Sequence, residues 1–237
     1  MRCSRSSAPY GTDDRVIEIA GQIEMTSTKA QFVAALVDSN KSIRLRAALA
    51  IGSNPEPDLV DVLVERCAVE PDFYVRDMLT WALLRCPSEI TVPKLLLELH
   101  SDLAQAKSQA LHTLSKIKQP STWTALTPSL LRNEDDEVAK SAWRAAVILV
   151  PEGEEMALAE ELATQFGRGG RETQLSLSRS LVTLGEDPVT AVLKMAIASK
   201  DPSIIAHAEA TQRLLREPES GSEFAVNQVK RIFAPGQ

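Results

Sequence analysis

Six stretches of this chain can be laid one above another: IRLRAALAI from Ile43, VRDMLTWAL from Val75, AKSQALHTL from Ala106, VAKSAWRAA from Val138, TQLSLSRSL from Thr173 and IIAHAEATQ from Ile204. The steps between them are 32, 31, 32, 35 and 31 residues. A period of this length marks a repeat architecture, in which one supersecondary unit cannot bury its apolar face alone and stacking supplies the missing core. Four residues into each stretch stand Ala47, Leu79, Ala110, Ala142, Leu177 and Ala208, and seven residues in stand Ala50, Ala82, Thr113, Ala145, Ser180 and Thr211. Eight residues in are Ile51, Leu83, Leu114, Ala146, Leu181 and Gln212. Offsets of zero, four, seven and eight share one face at 3.6 residues per turn, so each stretch predicts a helix with a buried stripe that weakens in the last unit.

Three residues before the anchor a capping residue recurs: Asn40, Asp72, Asp135, Gly170 and Asp201, with Asp102 displaced by one place. Such side chains accept hydrogen bonds from the free N–H groups that open a helix. Between the anchored helices lie other amphipathic segments, PDLVDVLVERC, VPKLLLELH, WTALTPSLL, EMALAEELATQF and PVTAVLKMAIAS. Pro57, Pro93 and Pro188 are expected in first turns, where a missing N–H costs nothing, and Pro128 is expected to kink its segment. Each unit therefore reads as a pair of antiparallel helices, with small residues allowing close approach.

Composition agrees. Aromatic residues are 4% of the chain and glycines number ten, too few for a sandwich or barrel of many tight turns. A net charge of -6 excludes a surface coated with phosphate-binding charge. Cys3, Cys67 and Cys86 are odd in number with no metal or redox spacing, which predicts reduced thiols in a cytoplasmic protein, Cys67 and Cys86 being core residues. No apolar run approaches a membrane span, and MRCSRSSAPYGTDD has no hydrophobic block behind its charges, so residues 1–12 are expected to be a flexible tail.

The stretch EPDFYVRDMLTWALL, followed by NKSIRLRAALAIG, resembles the HEAT-repeat family in its short form of the phycobilisome-lyase type, in which an aspartate precedes Val-Arg and then Ala and Ala-Leu. The resemblance covers about residues 26–216. It implies an all-α fold, a right-handed α-solenoid or α-α superhelix of about six helix pairs, as one unit over residues 13–237. DRVIEIAGQIEM (14–25) would cap the N-terminal end and the segment 221–234 the C-terminal end. In that family the Val-Arg arginine and the turn aspartate form a ladder between neighbouring repeats. Arg44, Arg76 and Lys107 match it, whereas Ala139, Gln174 and Ile205 do not, so a ladder is expected to stop halfway.

By the same resemblance the anchored helices line a concave face where a partner binds. Offsets two, six and nine stand opposite the stripe, and with their flanks they assemble Trp81, Arg85, His112, Lys116, Lys140, Arg144 and Arg179 into a strip suited to a protein or peptide partner. The plainer reading is that the arginines are solvated and Trp81 packs between repeats. A second candidate is GRGGRET, where Arg168, Gly169, Gly170 and Arg171 could hold an anion at a helix start; the plainer reading is an inter-helix loop. The three histidines have no metal spacing, and no GxSxG, HExxH or CxxC occurs. The acidic runs NEDDE at Asn133 and EGEE at Glu152 precede helices, where negative charge favours the helix dipole, so neither metal nor cofactor is expected.

The leading expectation is a non-enzymatic binding scaffold. An alternative is nucleic-acid binding, resembling the HEAT-like alkylpurine DNA glycosylases, with Trp81, Trp143, Arg144 and Arg179 imitating part of their basic groove against an opposing net charge. A chromophore lyase or chaperone is suggested by the repeat type alone. A homodimer through an exposed solenoid end is compatible with either end, and no membrane partner is expected.

Overall fold

A computed structural model describes residues 29–217, and every regular element among them is helical. Residues 29–36 form α1. Then follow α2 (Lys41–Ser53), a 3-10 turn at Pro57–Leu59, α3 (Val60–Val69), α4 (Phe73–Arg85), α5 (Ser88–Glu98) and α6 (Ala104–Ile117). The second half contains a 3-10 stretch at Pro120–Ala125, α7 (Pro128–Leu131), α8 (Asp136–Leu149), α9 (Glu155–Ala163), α10 (Arg171–Thr183), α11 (Glu186–Ile197) and α12 (Pro202–Arg216). The expected tail at 1–12 and the capping helices at 14–25 and 221–234 lie outside the described residues.

The six anchored stretches are α2, α4, α6, α8, α10 and α12. They stack in chain order as one layer, each against the next, while α3 packs on α5, α7 on α9 and α9 on α11 in a second layer. The result is an α-solenoid with one contiguous core running through the repeats. The caps explain where the anchored helices begin. Asn40 accepts from the Ser42 N–H at 2.9 Å, Asp72 from Tyr74 and Val75 at 3.0 and 3.2 Å, Asp135 from Glu137 and Val138 at 2.8 and 3.1 Å, and Asp201 from Ser203 at 2.8 Å. In the third unit Leu103 occupies the cap position, and Ser101 rather than Asp102 accepts its N–H, at 3.2 Å.

Offset four is buried in all six units, and offset eight in the first five. Ala50 departs from the expected stripe: it is exposed, because α2 ends the described layer and no described helix lies beyond it. The buried face is also wider than the stripe, taking in offset five with Ala48, Thr80, Leu111, Trp143 and Ser178. Two prolines correct the sequence reading. Pro93 sits in the interior of α5, which starts earlier, at Ser88; burial of Thr91, Val92 and Leu95 on either side holds the helix despite the missing N–H. Pro128 kinks nothing, since it opens the four-residue α7, and WTALTPSLL is divided between that helix and the 3-10 stretch. Cys67 and Cys86 are buried free thiols, and burial pushes Cys67 up to about 12.

Candidate functional site: a basic groove across the anchored helices

Several cations point inward and are consumed by the fold. Arg44, one place after the first anchor, donates to the Asp38 and Ser39 carbonyls at 2.8 and 3.0 Å, and Arg76 makes the same pair of bonds to Glu70 and Pro71 at 2.8 and 2.9 Å. The arginine of Val-Arg thus closes the turn before its own helix rather than pairing with the aspartate of a neighbour. Lys41, not Arg44, is the partner of Asp72, at 3.3 Å.

Lys107 makes no such bond among the described residues, and in the next two units other side chains meet the turn carbonyls. In the fourth unit the equivalent position is Ala139, and the two equivalent carbonyls, Asn133 and Glu134, are met by Arg168, which arrives from the next repeat. Its Nε donates to Asp136 at 2.9 Å, its Nη1 to Gln165 at 3.1 Å, and its guanidinium lies 5.8 Å from the Trp143 ring centre. In the fifth unit Gln174 reaches the Gly167 and Gly169 carbonyls at 3.5 and 3.3 Å. In the loop singled out for anions, Arg168 is therefore turned into the protein, Gly170 caps α10, and Arg171 stands exposed. Lys140 is likewise buried, held by Glu137 at 2.6 Å and Glu172 at 2.7 Å. Burial alone would lower its pKa, but the two carboxylates outweigh that and raise it.

Four other cations come together. A groove of about 560 Å³ crosses α4, α6, α8 and α10, and His112, Lys116, Arg144 and Arg179 of the expected strip all line it. Lys118, on the left-handed residue that ends α6, joins them. Among the described residues no carboxylate lines the groove and none stands within ion-pair distance of Lys116, Lys118, Arg144 or Arg179, although Glu172, bonded to Lys140, also feels the charge of Arg144 from outside the lining. Arg144 donates to the Ser141 hydroxyl at 3.1 Å. The apolar part of the wall is Leu84, Val147 and Ile148, with Leu84 and Ile148 exposed. Burial, Lys116 and Arg144 together pull the His112 imidazole below its ordinary value, against the opposing effect of Asp77.

Trp81 and Arg85 are not lining residues of this groove. Trp81 is half-buried and packs on Gly52 of the previous repeat, with Arg85 5.9 Å above its ring. Trp143 is fully buried, its indole N–H donating to the Leu131 carbonyl at 2.8 Å. Neither indole presents the free stacking face that nucleic-acid binding would ask of it.

A family model described as HEAT repeats matches residues 4–84. That stretch of the chain is similar to HEAT repeats. No curated protein matches it. HEAT repeats generally serve as protein-interaction scaffolds and are usually non-enzymatic. Among the described residues no helix is long and apolar enough to cross a membrane.

Within these helical repeats the groove follows offsets six, nine and ten of the anchored helices. At offset two Lys140 is covered because Glu172 of the next repeat reaches it, whereas Asp77 and Leu175 at the same offset are exposed. Offset ten, two places beyond the aligned stretches, supplies Lys116, Ile148 and Thr183, of which Lys116 was read as flanking the strip. Lys118 and Ser141 carried no such repeat signal.

Proposed function

We propose that this chain is a non-enzymatic HEAT-repeat scaffold that binds a protein or peptide segment on the open face of its anchored helices. The observation that carries the reading is the groove across α4, α6, α8 and α10, where cations with no ion-pair partner among the described residues stand beside exposed Leu84 and Ile148. Aliphatic contact area ringed by arginine is what protein recognition exploits, with the apolar part supplying affinity and the charges orientation. The four helices each contribute side chains, so the stacking itself builds the groove. The inward placement of Trp143 favours a protein partner over a nucleic acid.

The test is affinity capture with chemical cross-linking on the full chain and on an Arg144→Glu/Arg179→Glu variant, each with and without nuclease. Both arginines are exposed, so the variant is expected to fold. Recovery of a specific protein on the wild type and its loss on the variant is the expected result. Equal recovery on both proteins would sink the reading, and a signal that disappears with nuclease would replace it with nucleic-acid binding.

A further inference from the structure

We infer that the segment received by this groove is acidic: a peptide stretch rich in glutamate or aspartate that also carries an aliphatic side chain. The inference rests on the peptide-binding reading above and specifies the chemistry of the partner.

Charge sorting carries it. The chain as a whole has a net charge of -6, and five of its buried or half-buried cations, Arg44, Arg66, Arg76, Lys140 and Arg168, are bonded to carboxylates or backbone carbonyls. Lys116, Lys118, Arg144 and Arg179 are different. They converge on one groove from the end of α6 and the middles of α8 and α10, with no carboxylate among the lining residues. Grouping like charges is unfavourable to folding, Glu172 acting on Arg144 from outside the lining, and a bound anionic segment relieves it. The hydroxyl of Ser180, also on the groove wall, is buried and has no hydrogen-bond partner.

The aliphatic wall narrows the choice of anion. Leu84, Val147 and Ile148 offer nothing to a free phosphate and little to a sugar-phosphate backbone, but they match a Leu, Ile or Met set among carboxylates. Arginine and lysine together suit this mixture, Arg144 and Arg179 offering planar forks to carboxylates and the lysines acting as point charges at the rim. Such an interface forms quickly and weakens with salt.

The experiment is selection of a display library of random short peptides on the full chain, repeated on Arg144→Glu/Arg179→Glu, on Lys116→Ala/Lys118→Ala and on Leu84→Asn/Ile148→Asn, with circular dichroism to confirm that each variant is folded. The expected result is enrichment of sequences rich in Glu and Asp with at least one aliphatic residue, lost on the arginine variant. A synthesised winner should lose at least about tenfold in affinity when its acids become amides. Neutral or basic winners that are lost on the Leu84→Asn/Ile148→Asn variant would overturn the acidic inference and leave the peptide-binding reading standing. Winners indifferent to every groove variant, or no enrichment at all, would overturn both. Titration of inorganic phosphate and of a single-stranded oligonucleotide completes the set: tight binding of either at the arginines, without peptide enrichment, would also overturn the inference.

Discussion

Arg44 and Glu70 meet across adjacent repeats as a two-pronged pair, Nε to Oε2 and Nη2 to Oε1 both at 2.8 Å, with the Glu70 side chain wholly out of solvent. Arg66 adds bonds of 2.8 and 2.6 Å, and the Asp72 N–H donates at 2.9 Å. Burial pushes the carboxyl up, but the bonds from Arg44, Asp72 and Arg66 outweigh it and hold the pKa at about 2.

Replacing Glu70 by Gln should therefore cost about 3 kcal/mol or more, because two guanidinium groups lose their counter-charge in a buried place. The pH dependence has a definite sign. Glu70 is depressed from an ordinary value of 4.5 to about 2, so its contribution is complete above 4.5 and fades as pH falls from there toward 2. Urea midpoints across that window should fall steeply for the wild type and less steeply for Glu70→Gln; parallel curves would refute the assignment.

His207 titrates in a separate window. Its Nδ1 accepts the Gly167 N–H at 3.1 Å, so Nε2 carries the proton and donates to the Gln174 carbonyl at 2.9 Å, beside the Ser178 hydroxyl at 3.1 Å. Burial lowers its pKa, with the Gln174 bond partly opposing. The folded state then resists a proton that the unfolded chain accepts, and stability is lost as pH falls below 6.5. The melting temperature between pH 7.5 and 5.5 should drop for the wild type; His207→Ala, less stable at the higher pH, should lose part of that slope.

Gly52 and Trp81 form a close contact that only glycine permits. A Cβ on residue 52 would stand 2.2 Å from one ring carbon of Trp81 and 2.5 Å from another. Alanine is the better helix former, yet Gly52→Ala should destabilise by about 1–3 kcal/mol through overpacking. Trp81→Ala in the same chain should remove most of that penalty, a coupling that a double-mutant cycle measures directly. Additive effects would show that the indole does not rest on Gly52.

Two neighbouring arginines should behave differently. Arg168→Ala removes the bonds to Asp136 and two carbonyls and should cost about 2 kcal/mol, whereas exposed Arg171→Ala should stay within about 0.5 kcal/mol. Chemical denaturation of the two variants checks this, and equal effects would contradict the inward role of Arg168.

The repeat period was legible because burial acts on every unit alike: offset four is covered in each, and the caps at Asn40, Asp72, Asp135 and Asp201 form as their side-chain chemistry demands. What could not be read was where one repeat leans on the next. Lys140 looks exposed by helical phase, but the adjoining α10 brings Glu172 over it. Trp143 gave no sign of its burial, since its offset is filled elsewhere by alanine, threonine, leucine and serine. The groove itself was half visible, through His112, Arg144 and Arg179 at offset six and Lys116 beside them, because these positions stand away from the buried stripe. Lys118 lies past its helix, outside any periodicity.

Ala139 is the place where the fourth repeat ceases to be self-sufficient, since the guanidinium that covers its turn is carried by Arg168 in the fifth. Units four and five are for this reason one indivisible block. A chain cut between Phe166 and Gly167 would keep every residue of the fourth repeat and still leave its Asn133 and Glu134 carbonyls open. Shortening or lengthening this solenoid by whole repeats should therefore not break the chain within that block.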